Sequence, residues 1–193
     1  MTKSADWMGI LLAAGKGARF DASGQQNKLM QALPSGDAVA VASAKKLLSV
    51  LPEVLAVVRP GAQGLAAVLQ AAGCQVHTCA DAEQGMAASL VYGLQQSGSC
   101  AGWIIALGDM PYVQAATLQA MLLALREGAG IVVPVHQGRR GNPVGFSHAY
   151  LPQLLALRGD QGARSLLARY PVTEVVVDDA GIHRDIDTRA DLQ

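Results

Sequence analysis

Apolar runs rich in branched residues recur along the chain, with stretches of helical composition between them. WMGILLA at 7–13, VLAVV at 54–58, WIIAL at 103–107 and IVVPV at 131–135 are near-continuous hydrophobic segments of strand length. CQVHTC at 74–79 and TEVVVD at 173–178 read as further strands. Segments 38–50, 62–72, 86–96 and 114–127 hold enough Ala, Leu and Gln for helices. Such alternation predicts parallel strands joined by helical crossovers. The expected fold is α/β, a three-layer α/β/α sandwich with a mostly parallel, Rossmann-like sheet. No repeat, low-complexity linker or domain boundary interrupts the pattern, so residues 1–193 are expected to form one domain.

Composition narrows the function classes. With 51% hydrophobic and 16% charged residues the chain reads as globular rather than disordered. Fifteen basic residues balance fifteen acidic ones, which argues against a general nucleic-acid binder and leaves room for a local anion site. No apolar run reaches the roughly 18 residues of a membrane span. The opening residues make a poor secretion signal and an ordinary first core strand, so the expectation is a cytoplasmic protein with no membrane partner. Cys74, Cys79 and Cys100 do not suggest a disulfide scaffold. Cys74, His77 and Cys79 resemble a metal cluster in composition only. On a strand, their odd separation sends the two cysteines to opposite faces.

Ligands of open α/β sheets gather beyond the carboxyl ends of the strands, which directs attention to the loops after the first and fourth strands. LLAAGKGARF, residues 11–20, leaves the first strand through Gly15, Lys16, Gly17, Ala18 and Arg19. Glycine admits close backbone approach, successive amides can line an anion-binding concavity, and Lys or Arg neutralises a phosphate. A surface turn with solvated charges uses the same residue types. After the fourth strand, LGDMPYV places Asp109 where a buried strand meets the ligand edge. A hard oxygen ligand there suits magnesium, which takes one or two carboxylates plus substrate phosphates. The competing reading of Asp109 is a cap or turn before the 114–127 helix. In RDIDTRADL, Asp185 and Asp187 share one face if the segment is extended. Alternatively, Asp187 or Thr188 starts a terminal helix.

LLAAGKGARF, NKLM, GMAASL, LGDMP, RGNPV and DIDTRADL occur in that order from about residue 9 to residue 192. Together they resemble the MobA/MocA family of nucleotidyltransferases. The resemblance implies a nucleotide-binding α/β sandwich that uses Mg2+ to transfer a nucleotidyl group from an NTP and release pyrophosphate. The branch it resembles most acts on molybdopterin, the molybdenum cofactor, and implies CMP transfer from CTP to the pterin's terminal phosphate. Leu12, Ala13, Ala14, Gly15 and Gly17 would then line the nucleotide site, with Arg19 and Lys28 holding the triphosphate. Gly85 and Ser89 would complete the nucleotide pocket, and Gly141, Asn142 and Pro143 would border the acceptor. Asp109 and Asp187 would hold the metal, with Asp185 supporting or replacing Asp187; Arg19, Lys28 and Asp109 form the catalytic set.

Several residues keep two readings. Lys16 faces ligand or water, Ser89 serves the pocket or close helix packing, and Arg139 serves the acceptor or a solvated hairpin tip beside Arg140. Asp160, after Gly159 and before a helix carrying Arg164, is an N-cap or an acceptor contact. The loop also departs from the family pattern, because FDASGQQN between Arg19 and Lys28 is long and Asp21 stands where Gly commonly follows. Three rival functions share these features: GTP-dependent guanylyl transfer, sugar-phosphate nucleotidyl transfer, and a noncatalytic nucleotide sensor or cofactor chaperone. A molybdoenzyme or chaperone would be a transient partner.

Overall fold

Hydrophobic runs at 7–13 and 102–107 become adjacent central strands because both faces of each are covered. The computed structural model describes residues 6–15, 17, 19–21, 26–159 and 162–192; Lys16 and Asp160 lie outside the described residues. The strands are β1 (Trp7–Ala13), β2 (Glu53–Val58), β3 (Gln75–Thr78), β4 (Gly102–Leu107), β5 (Ile131–His136), β6 (Arg139–Arg140), β7 (Val144–Ser147) and β8 (Thr173–Val176). They form one sheet in the order β3-β2-β1-β4-β7-β5-β6, with β8 paired to β5. β1, β2, β3 and β4 pair in parallel, as do β5 and β8. β7 is antiparallel to both β4 and β5. The mostly parallel sandwich expected from the alternation is therefore present, with an antiparallel insertion. The connection from β5 back to β7 is a short hairpin through β6, and so short a link cannot make the crossover that parallel pairing needs.

Helices α1 (Val39–Leu48), α2 (Gln63–Ala71), α3 (Met86–Gln96) and α4 (Ala115–Arg126) occupy the four segments of helical composition, and α5 (Leu151–Leu155) and α6 (Arg164–Leu167) are short additions. Each long helix buries a stripe at helical spacing. In α4 it is Thr117, Leu118, Met121, Leu122 and Leu125. The period-2 alternation of the strands splits the core in two. Leu11, Val54, Ala56, Ile104 and Val132 pack with α1, α2 and α4 on one face. Ile10, Leu55, Val57, Trp103, Ile105 and Phe146 pack with α3, α5 and α6 on the other. Each fully buried Leu, Ile or Phe contributes roughly 1.5–3 kcal/mol. Cys74 joins the first face and Cys79 the second, so the spacing argument against a shared metal holds. No helix among the described residues is long and apolar enough to cross a membrane.

Because β1 and β4 run side by side in parallel, the loops after Ala13 and Leu107 open on the same sheet edge. The Gly108 amide donates to the Leu12 carbonyl at 2.9 Å, which keeps the two strand ends together.

Candidate active site

Local chemistry in the loop after β1 presents the two cations. Gly17 has φ +64°, a left-handed conformation that glycine adopts without steric cost. Its carbonyl accepts from the Phe20 and Asp21 amides at 2.9 and 3.2 Å, and buried Phe20 anchors the turn. Arg19 projects from it with 80% of its side chain exposed. Lys28 opens a 3-10 turn, Lys28–Met30, capped by Asn27, whose side chain accepts from the Leu29 amide at 3.0 Å. Leu29 is buried, so the turn is nailed to the core beside the lysine. The long loop does not displace Lys28: only 11% of its side chain is exposed, and it points into the site.

Three carboxylates meet these cations. The Asp109 carbonyl accepts from the Ile186 amide at 2.8 Å, binding the final segment to the loop after β4. Ile186 is completely buried, and the carboxylates of its neighbours Asp185 and Asp187 join that of Asp109. One oxygen from each lies within 4.8 Å of the others. Lys28 Nζ donates to Asp109 Oδ2 at 2.7 Å and to Asp187 Oδ1 at 3.3 Å. Arg19 Nη1 lies 2.6 Å from Asp187 Oδ2. Partial burial first, then the charges of Asp187 and Asp109, push the Asp185 carboxyl above its ordinary range. Asp109 Oδ1 is buried without a hydrogen-bond partner among the described residues.

Asp109 stands in the turn that follows β4 and is not the cap of α4. Gln114 holds the cap position without a side-chain bond, and Asp179, 2% exposed, ties down the helix start by accepting from the Gln114 amide at 2.8 Å and the Thr117 hydroxyl at 2.6 Å. Its other oxygen accepts from the Gly181 amide at 2.9 Å. The last motif joins clustered carboxylates to a helical turn. The acidic pair is present, and a 3-10 turn, Arg189–Leu192, begins directly after Thr188. Hydrogen bonds from the Thr188 side chain and the Thr188 and Asp187 amides hold the Asp191 carboxyl below its usual range.

Two cavities meet at Asp109. The first, about 350 Å³, is lined by Leu12, Ala14, Gly15, Lys28, Gly85, Ser89 and Asp109, all singled out from the sequence. Leu29, Ala82, Glu83, Met86 and Leu107 complete it. The second, about 730 Å³, shares Leu12, Met86, Leu107 and Asp109 and adds Arg19, Asn142, Arg164, Ser165 and Asp185. Gly15, Gly17, Arg19, Lys28, Asp109 and Asp187 surround a third, smaller hollow of about 290 Å³. Ala13 is buried on the α1 face, away from these openings. Gly141 packs under the last segment: a Cβ there would lie 2.5 Å from the Ile182 carbonyl oxygen. Pro143 faces a small apolar cavity between α1 and α4. Of the proposed acceptor triplet, Asn142 alone lines the large cavity. Arg140 pairs with Glu174 at 2.6 Å on the sheet rim, and Arg139 is exposed beside it, as a solvated hairpin would be. The Gly159 carbonyl accepts from the Ala87 amide at the start of α3.

The fold is that of the nucleotide-diphospho-sugar transferases, and the family match places the chain among the nucleotidyltransferases built on it. Within it, the chain belongs to the MobA-like NTP transferase domain family, which matches residues 9–175. It is 33% identical over 195 residues to the purine catabolism protein PucB of Bacillus subtilis (strain 168), covering 94% of this chain and 91% of PucB. The crystal structure of Rv0371c from Mycobacterium tuberculosis H37Rv superposes with a TM-score of 0.81 at 26% identity, covering 96% of this chain and 95% of that one. The same protein has also been crystallised as a manganese complex, here with a TM-score of 0.76, 23% identity and coverage of 96% and 95%. The molybdopterin-guanine dinucleotide biosynthesis protein A of Archaeoglobus fulgidus has the same fold, with a TM-score of 0.68, 18% identity and coverage of 96% and 94%.

Proposed function

We propose that this nucleotidyltransferase moves CMP from CTP to the terminal phosphate of molybdopterin. The observation that carries the proposal is the pair of cavities sharing Asp109, with Lys28 lining the first, Arg19 the second, and both lining the smaller hollow beside Asp187. A phosphate monoester has a second pKa near 6, so the acceptor is already an oxyanion at neutral pH and needs no serine–histidine pair. Its oxygen attacks the α-phosphorus of the NTP, a new P–O bond forms, and the bond to the β-phosphate breaks with its electron pair on pyrophosphate. The chain's work is to align the two anions, screen their repulsion and stabilise the leaving group. Gly15 and Gly17 offer backbone amides, while Lys28 and Arg19 supply positive charge to the triphosphate.

The acidic residues fit a divalent cation. Three crowded carboxylates and a buried Asp109 oxygen without a partner among the described residues are the donor set that a hard cation satisfies. Asp109 and Asp187 would hold Mg2+, with Asp185 beside them. Manganese in the crystallised Rv0371c complex supports a divalent ion in this fold. When bound, the ion neutralises phosphate charge and favours in-line displacement.

The CTP assignment rests on the likeness of GNPV and DIDT to the cytidylyl branch. The Archaeoglobus relative, named for a guanine dinucleotide, makes GTP the main rival. Incubation with molybdopterin, Mg2+ and each NTP, followed by pyrophosphate release, separates the readings. CTP-dependent release supports the proposal, and preference for GTP moves it to the guanylyl branch. Binding without release from any NTP favours a sensor or chaperone.

A further inference from the structure

We infer that Asp191 is a positioning residue that sets the metal-binding geometry of Asp187. The inference rests on the reading of Asp109 and Asp187 as cation ligands. One oxygen of Asp191, Oδ2, accepts from the Asp187 amide at 3.1 Å, the Thr188 amide at 2.6 Å and the Thr188 hydroxyl at 2.8 Å. The bond from the Thr188 amide is one half of a capping box, in which a carboxylate three residues into a turn reaches back to the residue that starts it, while the Thr188 hydroxyl donates to the same oxygen. A cap alone has no need of the Asp187 amide. That additional bond fixes the backbone from which the ligand side chain hangs.

The same residue is tied to the other ligand's loop. The Tyr112 hydroxyl donates to the Asp191 carbonyl at 3.2 Å, and Tyr112 lies three residues beyond Asp109. The Tyr112 ring in turn carries the Arg184 guanidinium 4.1 Å above its centroid. With the Ile186 amide on the Asp109 carbonyl, these contacts close a ring: Asp109, Ile186, Asp187, Asp191, Tyr112 and back along the chain to Asp109. Two carboxylates delivered by segments 78 positions apart are thereby held in register by bonds on either side of them. Lys28 and Arg19 grip the Asp187 carboxylate itself, whereas Asp191 grips its main chain. The ring therefore persists when a cation takes the place of the two basic side chains on the carboxylate.

Direct Mn2+ binding to the purified protein, read by the electron paramagnetic resonance of free Mn2+, tests the inference. Asp191→Ala is expected to weaken binding about 10–100-fold, the usual effect of removing a partner that orients a metal ligand. Asp191→Asn keeps an oxygen acceptor and should stay within a few-fold of wild type. Melting temperatures should differ little. In turnover, excess Mn2+ should restore kcat to Asp191→Ala while the metal requirement stays raised. Wild-type Mn2+ affinity in Asp191→Ala overturns the inference. So does an Asp191→Asn variant as weak as Asp191→Ala, because the acceptor oxygen would then not be what matters. If Asp191→Ala does not fold, Thr188→Val removes one of the three bonds and should weaken Mn2+ a few-fold; no change overturns the inference. A wild-type protein that binds no Mn2+ defeats the metal reading itself, and the inference with it.

Discussion

Replacing Lys28 with Met keeps the shape of the aliphatic stem and removes the ammonium from between Asp109 and Asp187. That ammonium pairs with both carboxylates, at 2.7 Å from Asp109 and 3.3 Å from Asp187. Two unit charges about 4 Å apart interact by roughly 4 kcal/mol at an effective dielectric of 20. Stripping one partner from a fully buried pair costs about 3–5 kcal/mol. The carboxylates here keep 20% and 23% of their side-chain surface in water, and Arg19 still faces Asp187, so the loss should be smaller. About 2–3 kcal/mol is expected, or a melting temperature lower by roughly 4–12 °C for a domain of this size. The assay is thermal melting in chelator and again with Mn2+. Metal should restore more stability to Lys28→Met than it adds to wild type, because no ammonium competes for the carboxylates. Turnover should fall regardless, since the triphosphate loses a cation. An unchanged melting temperature in chelator would refute the reasoning.

Arg19→Ala should leave melting unchanged, given the exposed side chain, while weakening NTP affinity and slowing turnover; a direct NTP titration checks it. Asp179→Ala should destabilise the fold by about 3 kcal/mol, measured by urea denaturation, because buried donors at the start of α4 lose a charged acceptor. Burial pushes the Cys74 thiol from 9.0 up to about 11. The folded thiol thus keeps its proton where the unfolded one loses it. Stability is full below pH 9 and falls by as much as about 3 kcal/mol as pH rises to 11. Cys74→Ala should flatten that decline in pH-dependent unfolding.

Hydrophobic runs made the layers legible because every strand-helix pair buries its own stripe or face. β7 begins at the end of the RGNPV motif, just after Arg139 and Arg140. Its place between β4 and β5 depends on hairpin length and on the partner edge, which no local pattern encodes. At the site, the motifs at 12–28, 85–89 and 109 identified residues that line one cavity, because a parallel sheet gathers successive loops at one edge. Asp187 was legible from its spacing to Asp185, but the buried Ile186 that turns both carboxylates the same way acts through the fold. Asp179 and Asp191 went unrecognised. Each works on backbone amides, and the partner of Asp179 lies 65 positions away. Glu83 and Met86 were also missed, since a turn and an exposed helix start carry no chemical signature until the pocket forms. Gly141 and Pro143 show the opposite effect: a motif named them, and packing turned them away from the large cavity.

Crystallisation with CTP and Mn2+, the metal located by anomalous scattering, tests whether the glycine loop and the aspartates form one metal-nucleotide site. A manganese peak is expected between Asp109 and Asp187, beside a triphosphate at the glycine loop, with cytosine in the cavity bounded by Gly85 and Ser89. A manganese peak away from both aspartates, or a nucleotide outside that cavity, would contradict it.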